Sequence, residues 1–286
     1  MLNHVLMPVD FSPRDAAAAH YVNQLHRKLS FETTLLHVVP PPDYEAAVLE
    51  AGGPVLQELM ETRRRLGNEK LAVTCLDELS GLPVQRVLRE GFPSEEIVKF
   101  ADEREVDLIV LPTHGYGPFR RFLLGSVTSK VLHDALCPVF TGAHMEEPSL
   151  NDIHFDRVAA AVDLGPNSGR VIEYARRLAH SLGAKLVVVH ALTQMHGHVT
   201  LSMESDFEMH FEEAAQARLK ELVGDLGSDV EIAMETGEPA PTVAAMLKRT
   251  KSDIAVIGRS SSTGMATLRA QTYAIIRESN VPVISV

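Results

Sequence analysis

The chain is poor in cysteine and in cationic charge and has no long apolar run, and each deficit removes a class of function. Only Cys75 and Cys137 occur in 286 residues, with no Cys-x2-Cys pair and no metal-binding spacing. They give no disulfide framework and fit a reducing compartment. Lys and Arg number 27 against 38 Asp and Glu, a formal net charge of −11. General nucleic-acid and anionic-membrane binders show a basic field that this chain lacks. The local exception is the basic segment "RRFLLGS". No segment approaches the roughly 18 apolar residues of a membrane span. The opening "MLNHVLMPVDFSPRD" has neither the basic region nor the apolar core of a signal peptide. The expectation is a soluble, cytoplasmic protein with no nucleic acid and no membrane among its partners.

Catalytic signatures are also missing. There is no Gly-x-Ser-x-Gly, no His-Glu-x-x-His and no Walker lysine after the glycines, so no catalytic residue is assigned and an efficient enzyme is disfavoured. Thirteen histidines invite a metal reading. His196 and His198 in "QMHGHVT" and His210 in "MHFEE" lie in what reads as a solvated insert, so no metal ligand is assigned. His37 and His190 sit in strands, where backbone acceptors satisfy a histidine more often than a metal does.

What is present is a repeat. "HVLMPVDFSPRDAAAAHYVNQLHRKL" resembles "RVAAAVDLGPNSGRVIEYARRLAHSL", with Asp10 and Asp163 153 residues apart. His37 in "TTLLHVVP" and His190 in "KLVVVHAL" keep the same offset of 153. Gly91 then pairs with Gly237 and Asp107 with Asp253, both 146 apart, and Pro138 with Pro282, 144 apart. Four blocks in one order with a slowly drifting offset mark a tandem duplication. The polar stretch Gly142 to Asp156 reads as the linker, giving domains over 1–145 and 153–286. The length and the 45% hydrophobic content suit two globular domains.

Within each half, short runs apolar on both faces alternate with helix-period segments. "VLMPV", "TTLLHVV", "VQRVL", "VDLIVL" and "CPVF" read as strands. "RDAAAAHYVNQLHRKL", "PSEEIVKFADE" and "VTSKVLHDAL" read as helices. This pattern predicts an α/β fold: a parallel sheet with helices on both faces and right-handed crossovers. Ser94, after Pro93, is the expected cap of one helix, and Pro241 lies in the first turn of its counterpart. Cys137 is expected to be buried at a strand start. "YEAAVLEAGGPVLQELMETRRRL" reads as a crossover helix with a Gly-Gly break, able to cover a site as a lid.

Ligands of an open parallel sheet bind beyond the carboxyl ends of its strands. In the first half Asp10, His37, Val38 and the loop "PTHG" fall there, and a helix begins near Gly125-Ser126. Free amides at that helix start suit phosphate, with Arg120 and Arg121 as added charge. Asp10 could accept from an adenine amine or a ribose hydroxyl. The plainer alternative is two tight turns and an Asp that caps a helix.

The ordered set "VDFS", "LLHVV", "GFPSEEIV", "DLIVLPTHG-x9-GSV" and "CPV" resembles the universal stress protein family, and this chain is similar to a tandem two-domain member. The resemblance covers nearly the whole chain, twice. It implies two Rossmann-like (adenine nucleotide alpha hydrolase-like) domains, each a five-stranded parallel sheet, usually in a dimer. One branch of that family binds ATP, with Mg as its companion, through Gly-x2-Gly-x9-Gly-[Ser/Thr], and another branch lacks the motif and does not bind it. Here Gly115, Gly125 and Ser126 match, and Pro112 replaces the first glycine, removing an amide and fixing φ. By that resemblance Pro8, Val9, Asp10 and Val38 line the adenosine end. Pro112, His114 and Gly115 lie near ribose and phosphates, and Gly125, Ser126 and Val127 hold the phosphates.

The second half keeps Gly258, but Ser261 and Arg269-Ala270 stand at the other motif positions, in a loop about two residues shorter. Asp163 persists. That half is expected to be mainly structural, with Arg259 and Arg269 leaving room for a different anion. The apolar terminal strands "CPVFTG" and "VPVISV" are expected to pair the two halves with each other, or two chains as a homodimer. The functional expectation is an adenine nucleotide-binding stress-response module that acts on protein partners yet unknown. The alternatives are a stress or interaction protein that binds no nucleotide, and a slow ATPase or autokinase with Ser126 or Thr128 as acceptor.

Overall fold

The computed structural model describes residues 2–41, 53–113, 124–142, 153–193, 201–224, 230–259 and 266–286. The chain divides into two compact units, one built chiefly on Leu2–Phe140 and the other on Asp152–Val286. Each is a parallel α/β unit, and the two repeat one another element by element.

In the first unit the order is β1 (His4–Pro8), α1 (Pro13–Leu29), β2 (Glu32–Val39), α2 (Gly53–Val73), β3 (Val84–Glu90), α3 (Pro93–Glu103), β4 (Leu108–Val110), α4 (Ser126–Asp134) and β5 (Val139–Thr141). Its strands lie in the order β3-β2-β1-β4-β5. All the pairings are parallel, with Val5 opposite Thr33 on one side and Leu108 on the other. The apolar runs become strands because both of their faces are covered. Val5, Leu6, Met7, Leu35, Leu36, Leu108, Ile109 and Val110 are all fully buried, which suits a central parallel sheet. Helix α1 lays a small-residue face, Ala17, Ala18 and Val22, against this core.

The second unit follows with β6 (Arg157–Ala161), α5 (Ser168–Leu182), β7 (Lys185–Leu192), α6 (Leu201–Val223), β8 (Glu231–Thr236), α7 (Pro239–Arg249), β9 (Ile254–Ile257), α8 (Ala266–Glu278) and β10 (Val283–Ser285). Its strand order is β10-β9-β6-β7-β8, again with parallel pairings.

The duplication extends to individual polar contacts. The Asp107 carboxylate accepts from the amides of Asn3 (2.6 Å) and His4 (3.0 Å) at the entry to β1. Asp253 does the same with Asp156 (2.7 Å) and Arg157 (2.8 Å) at the entry to β6. Each carboxylate ties the start of one central strand to the start of its neighbour. Asp107→Ala is expected to destabilise the protein by about 2 kcal/mol, because two strand-entry amides lose a charged acceptor. Denaturant unfolding checks this, and Asp253→Ala should cost a similar amount.

Two local expectations are corrected. Helix α3 is capped at Phe92, not Ser94: Pro93 takes the first helical position, and Phe92 O accepts from the amides of Glu95 and Glu96 (both 3.0 Å). Proline suits that first position because its missing N–H is not needed there, which moves the cap back before the serine. Cys137 is half-buried rather than buried and precedes β5. Cys75 is the buried cysteine. Burial, with Asp15 and Glu78 near it, pushes its thiol up to about 12, so it stays protonated and unreactive at neutral pH. The expected crossover helix is observed from Gly53 onward; its earlier part, with Gly52, lies outside the described residues.

Candidate functional site

The first unit opens a cleft of about 310 Å³ at the carboxyl ends of β1, β2 and β4, where the topology of an open parallel sheet places a ligand. Pro8, Val9, Asp10, Val38, Pro112, Gly125, Ser126 and Val127 all line it. Residues from four separate parts of the chain therefore meet at one place. His114, Gly115, Arg120 and Arg121 lie outside the described residues.

The floor is apolar. Val9 and Val38 are each only 6% exposed, with Leu36 and Leu111 beside them and Ile97 contributed by α3. One rim is the turn after β1. Asp10 Oδ1 accepts from the Ser12 amide (3.0 Å), so Asp10 is a turn former, as the plainer reading holds. Its second oxygen has no hydrogen bond among the described residues and stands at the exposed edge of the cleft. Phe11 next to it takes a left-handed φ of 64°, which turns the chain sharply away from the strand.

His37 enters from β2. Its Nδ1–H donates to Val9 O (2.9 Å), and its ring lies 4.0 Å from that of Phe11, centroid to centroid. Burial holds its pKa below the usual histidine value, and the Val9 bond and Asp10 oppose that only in part. His37 is therefore a neutral, fixed wall of the cleft, held by a backbone carbonyl.

The opposite rim is the start of α4. Gly125 N donates to Thr113 O (2.9 Å), and Thr128 Oγ1 donates to Pro112 O (3.0 Å). These two bonds draw the end of β4 and the first turn of α4 together. Ser126 is the first residue of that helix, so its amide and that of Val127 have no acceptor inside the helix. Both residues face the cleft, where they offer donors and the positive end of the helix dipole.

Pro112 fits this geometry. Its second-unit counterpart is Gly258, where a Cβ would come within 3.3 Å of Val171 Cγ2. The first-unit position that matches Val171 is Ala18.

Leu36, Leu111 and Ile97 of the floor were not legible in the sequence as site residues, and neither were two residues at the rim. Pro93 reaches the cleft from the start of α3. Asp15, in the first turn of α1, is 3% exposed and its Oδ2 accepts from the Phe11 amide (2.7 Å). Burial, and then the neighbouring Asp10, raises its pKa to about 7. A short polar residue in a first helical turn gives no hint that it points inward.

Among the described residues, the second unit repeats the turn without the cradle. Asp163 Oδ1 accepts from Gly165 N (2.8 Å) and from Ser168 Oγ (3.1 Å), and Leu164 has a φ of 60°. His190 Nδ1–H donates to Val162 O (2.8 Å). Thr272 Oγ1 donates to Gly258 O (3.4 Å), as Thr128 does to Pro112, which sets Arg269-Ala270 at the Gly125-Ser126 position. Helix α8 begins at Ala266, so Ala270 lies inside the helical ladder and has no free amide to offer. Among the described residues no group of three His, Cys, Asp or Glu is arranged to hold a metal ion. No described helix is long and apolar enough to cross a membrane.

Comparison with known proteins agrees with this architecture. The sequence model of the universal stress protein family matches residues 1–141 and 154–286. A universal stress protein of Mycobacterium tuberculosis is 28% identical over 293 residues, covering 98% of this chain and 95% of that protein. One from Methanocaldococcus jannaschii is 31% identical over 136 residues, 47% of this chain and 78% of its own length. The solved structure of a universal stress protein from Archaeoglobus fulgidus superposes with a TM-score of 0.69 at 22% identity, covering 99% of this chain and 95% of that one. Both units carry the family's pattern, and the chain belongs to the universal stress protein family.

Proposed function

We propose that the first unit binds an adenine nucleotide, ATP with Mg, and that the protein acts as a regulatory module rather than as a turnover enzyme. The observation that carries this reading is the convergence of an apolar floor, an Asp at one rim and a helix start at the other on one cleft at the strand ends. Val9, Val38 and Ile97 suit a flat base. The second oxygen of Asp10 suits a ribose hydroxyl or the base amine. The amides of Ser126 and Val127 and the Ser126 hydroxyl suit phosphate. Pro112 removes one donor and leaves these in place. Arg63 and Lys70 line a neighbouring groove that shares His37 with the wall of the cleft, and they supply cationic charge near the nucleotide.

Binding of this kind acts by population shift: nucleotide favours the conformation that holds it best and so changes the surface offered to protein partners. The protein is proposed to work in the cytoplasm, with its terminal strands available for pairing between halves or between two chains. The test is mass spectrometry of small molecules released from the natively folded protein, with an ATP titration beside it. Adenine nucleotide at about one per chain is expected, and Ser126→Ala should weaken ATP by roughly ten- to a hundredfold through loss of one charge-assisted bond. A protein that is empty and also ignores added ATP sinks the reading.

A further inference from the structure

The space at the strand ends is divided differently in the two units. In the first it forms two voids, the cleft of about 310 Å³ and a groove of about 360 Å³ along α2, and His37 lines both. The His37 ring packs on Phe11 there. In the second unit the matching positions line one chamber of about 910 Å³. Leu71 and Leu219, both buried, match α2 with α6 at an offset of 148. At that offset Arg63, Leu66 and Lys70 of the groove become Phe211, Ala214 and Arg218 of the chamber. Leu164 stands in the place of Phe11 and has no ring to lay on the imidazole.

That imidazole belongs to His190, which is 6% exposed and lines the chamber. Its Nδ1–H is engaged by Val162 O (2.8 Å). Nε2, on the other side of the ring, then carries no proton and is an acceptor. Among the described residues nothing donates to it, and it is not sealed by protein atoms as Nδ1 of His20 is. The second oxygen of Asp163 is a further acceptor on the chamber wall with no donor among the described residues. A buried acceptor left unmatched is costly, and a donor brought by a ligand relieves that cost. Phe211, Ala214 and Ala215 of α6 face Leu192, Val243 and Ile275 to give the chamber its apolar walls. Charge of both signs lines it, Asp163 with Arg218 and Arg259, so the chamber as a whole selects neither sign.

We infer that this chamber binds an uncharged small molecule with an apolar body and a hydroxyl, an apolar alcohol or phenol, whose O–H donates to His190 Nε2. Its volume falls in the range of small-ligand sites, roughly 300–1,000 Å³, and a mostly apolar lining with a few placed polar atoms is their usual composition. The inference does not depend on nucleotide binding in the first unit.

The test is calorimetric titration of the full chain at pH 8 with para-hexylphenol and with its methyl ether, which has the same body and no donor. Saturable binding of the phenol at about one per chain is expected, with the ether roughly tenfold weaker because it covers Nε2 and brings no hydrogen. His190→Phe removes the acceptor and should bring the two probes to equal affinity. Ala214→Trp places a ring in the chamber from an exposed position of α6, where the first unit carries Leu66, and should abolish binding of both probes. The thermal midpoint of each variant verifies that it folds. Absence of saturable phenol binding overturns the inference, and so does equal affinity of the parent for phenol and ether. Phenol binding untouched by Ala214→Trp, or displaced by ATP, places the probe outside this chamber and overturns it as well.

Discussion

Asp15→Asn raises stability at pH 8 by about 4 kcal/mol relative to the parent and leaves it nearly unchanged below pH 4. The sign follows from where the proton is held. Burial and Asp10 raise the carboxyl pKa from 3.8 to about 7, so between those values the folded state binds a proton that the unfolded state releases. The contribution of Asp15 to stability is whole below about pH 4 and is lost as pH rises through about 7. Each tenfold change in proton affinity is worth about 1.4 kcal/mol, which sets the total. Asparagine keeps an oxygen for the Phe11 amide, now bonded at 2.7 Å, and carries no charge to desolvate. Ser168, 1% exposed at the matching position of the second unit, shows that a neutral side chain fits this turn. Urea unfolding of both proteins from pH 4 to pH 8 measures the difference. Parallel curves across that range would mean that Asp15 does not titrate between them.

Ser126→Asp lowers affinity for ATP by about two orders of magnitude without weakening the fold. Ser126 opens α4, and a carboxylate in a first turn is favourable to a helix by about 0.3–1 kcal/mol. The same charge faces the place where the phosphates of a nucleotide would sit. Two like charges about 5 Å apart in an effective dielectric of about 20 repel by about 3 kcal/mol, which is about a hundredfold in affinity. Titration at low and moderate salt should show the penalty shrinking as ions screen it, while the thermal midpoint holds or rises. An ATP affinity equal to that of the parent would place the phosphates elsewhere.

The duplication, the strands and the outline of the first cleft were legible in the residues. "VLMPV", "TTLLHVV" and "VDLIVL" are apolar on both faces, and they became β1, β2 and β4 at the centre of a parallel sheet. Asp10, Val38, Gly125 and Ser126 were legible because each ends a strand or opens a helix, and all strand ends of a parallel sheet point the same way. The cap at Phe92 was missed because a serine beside a proline looks like a cap, although the proline itself must occupy the first helical turn. Asp15 was missed because nothing in its neighbours along the chain says that it faces inward.

By itself the sequence determined the class of fold, its repetition and the edge of the sheet where ligands gather, since periodicity and offset are properties of the chain as a line. Only the tertiary structure decided how much room each cleft has and what charge it tolerates. Asp15 sits near neutrality because α1 and the turn after β1 exclude water from it. The cleft at the matching strand ends of the second unit is wider, about 910 Å³ against about 310 Å³, with residues of α6 and α8 among its walls. Volume and desolvation depend on what surrounds a residue in space, and those surroundings come from segments far apart in the chain.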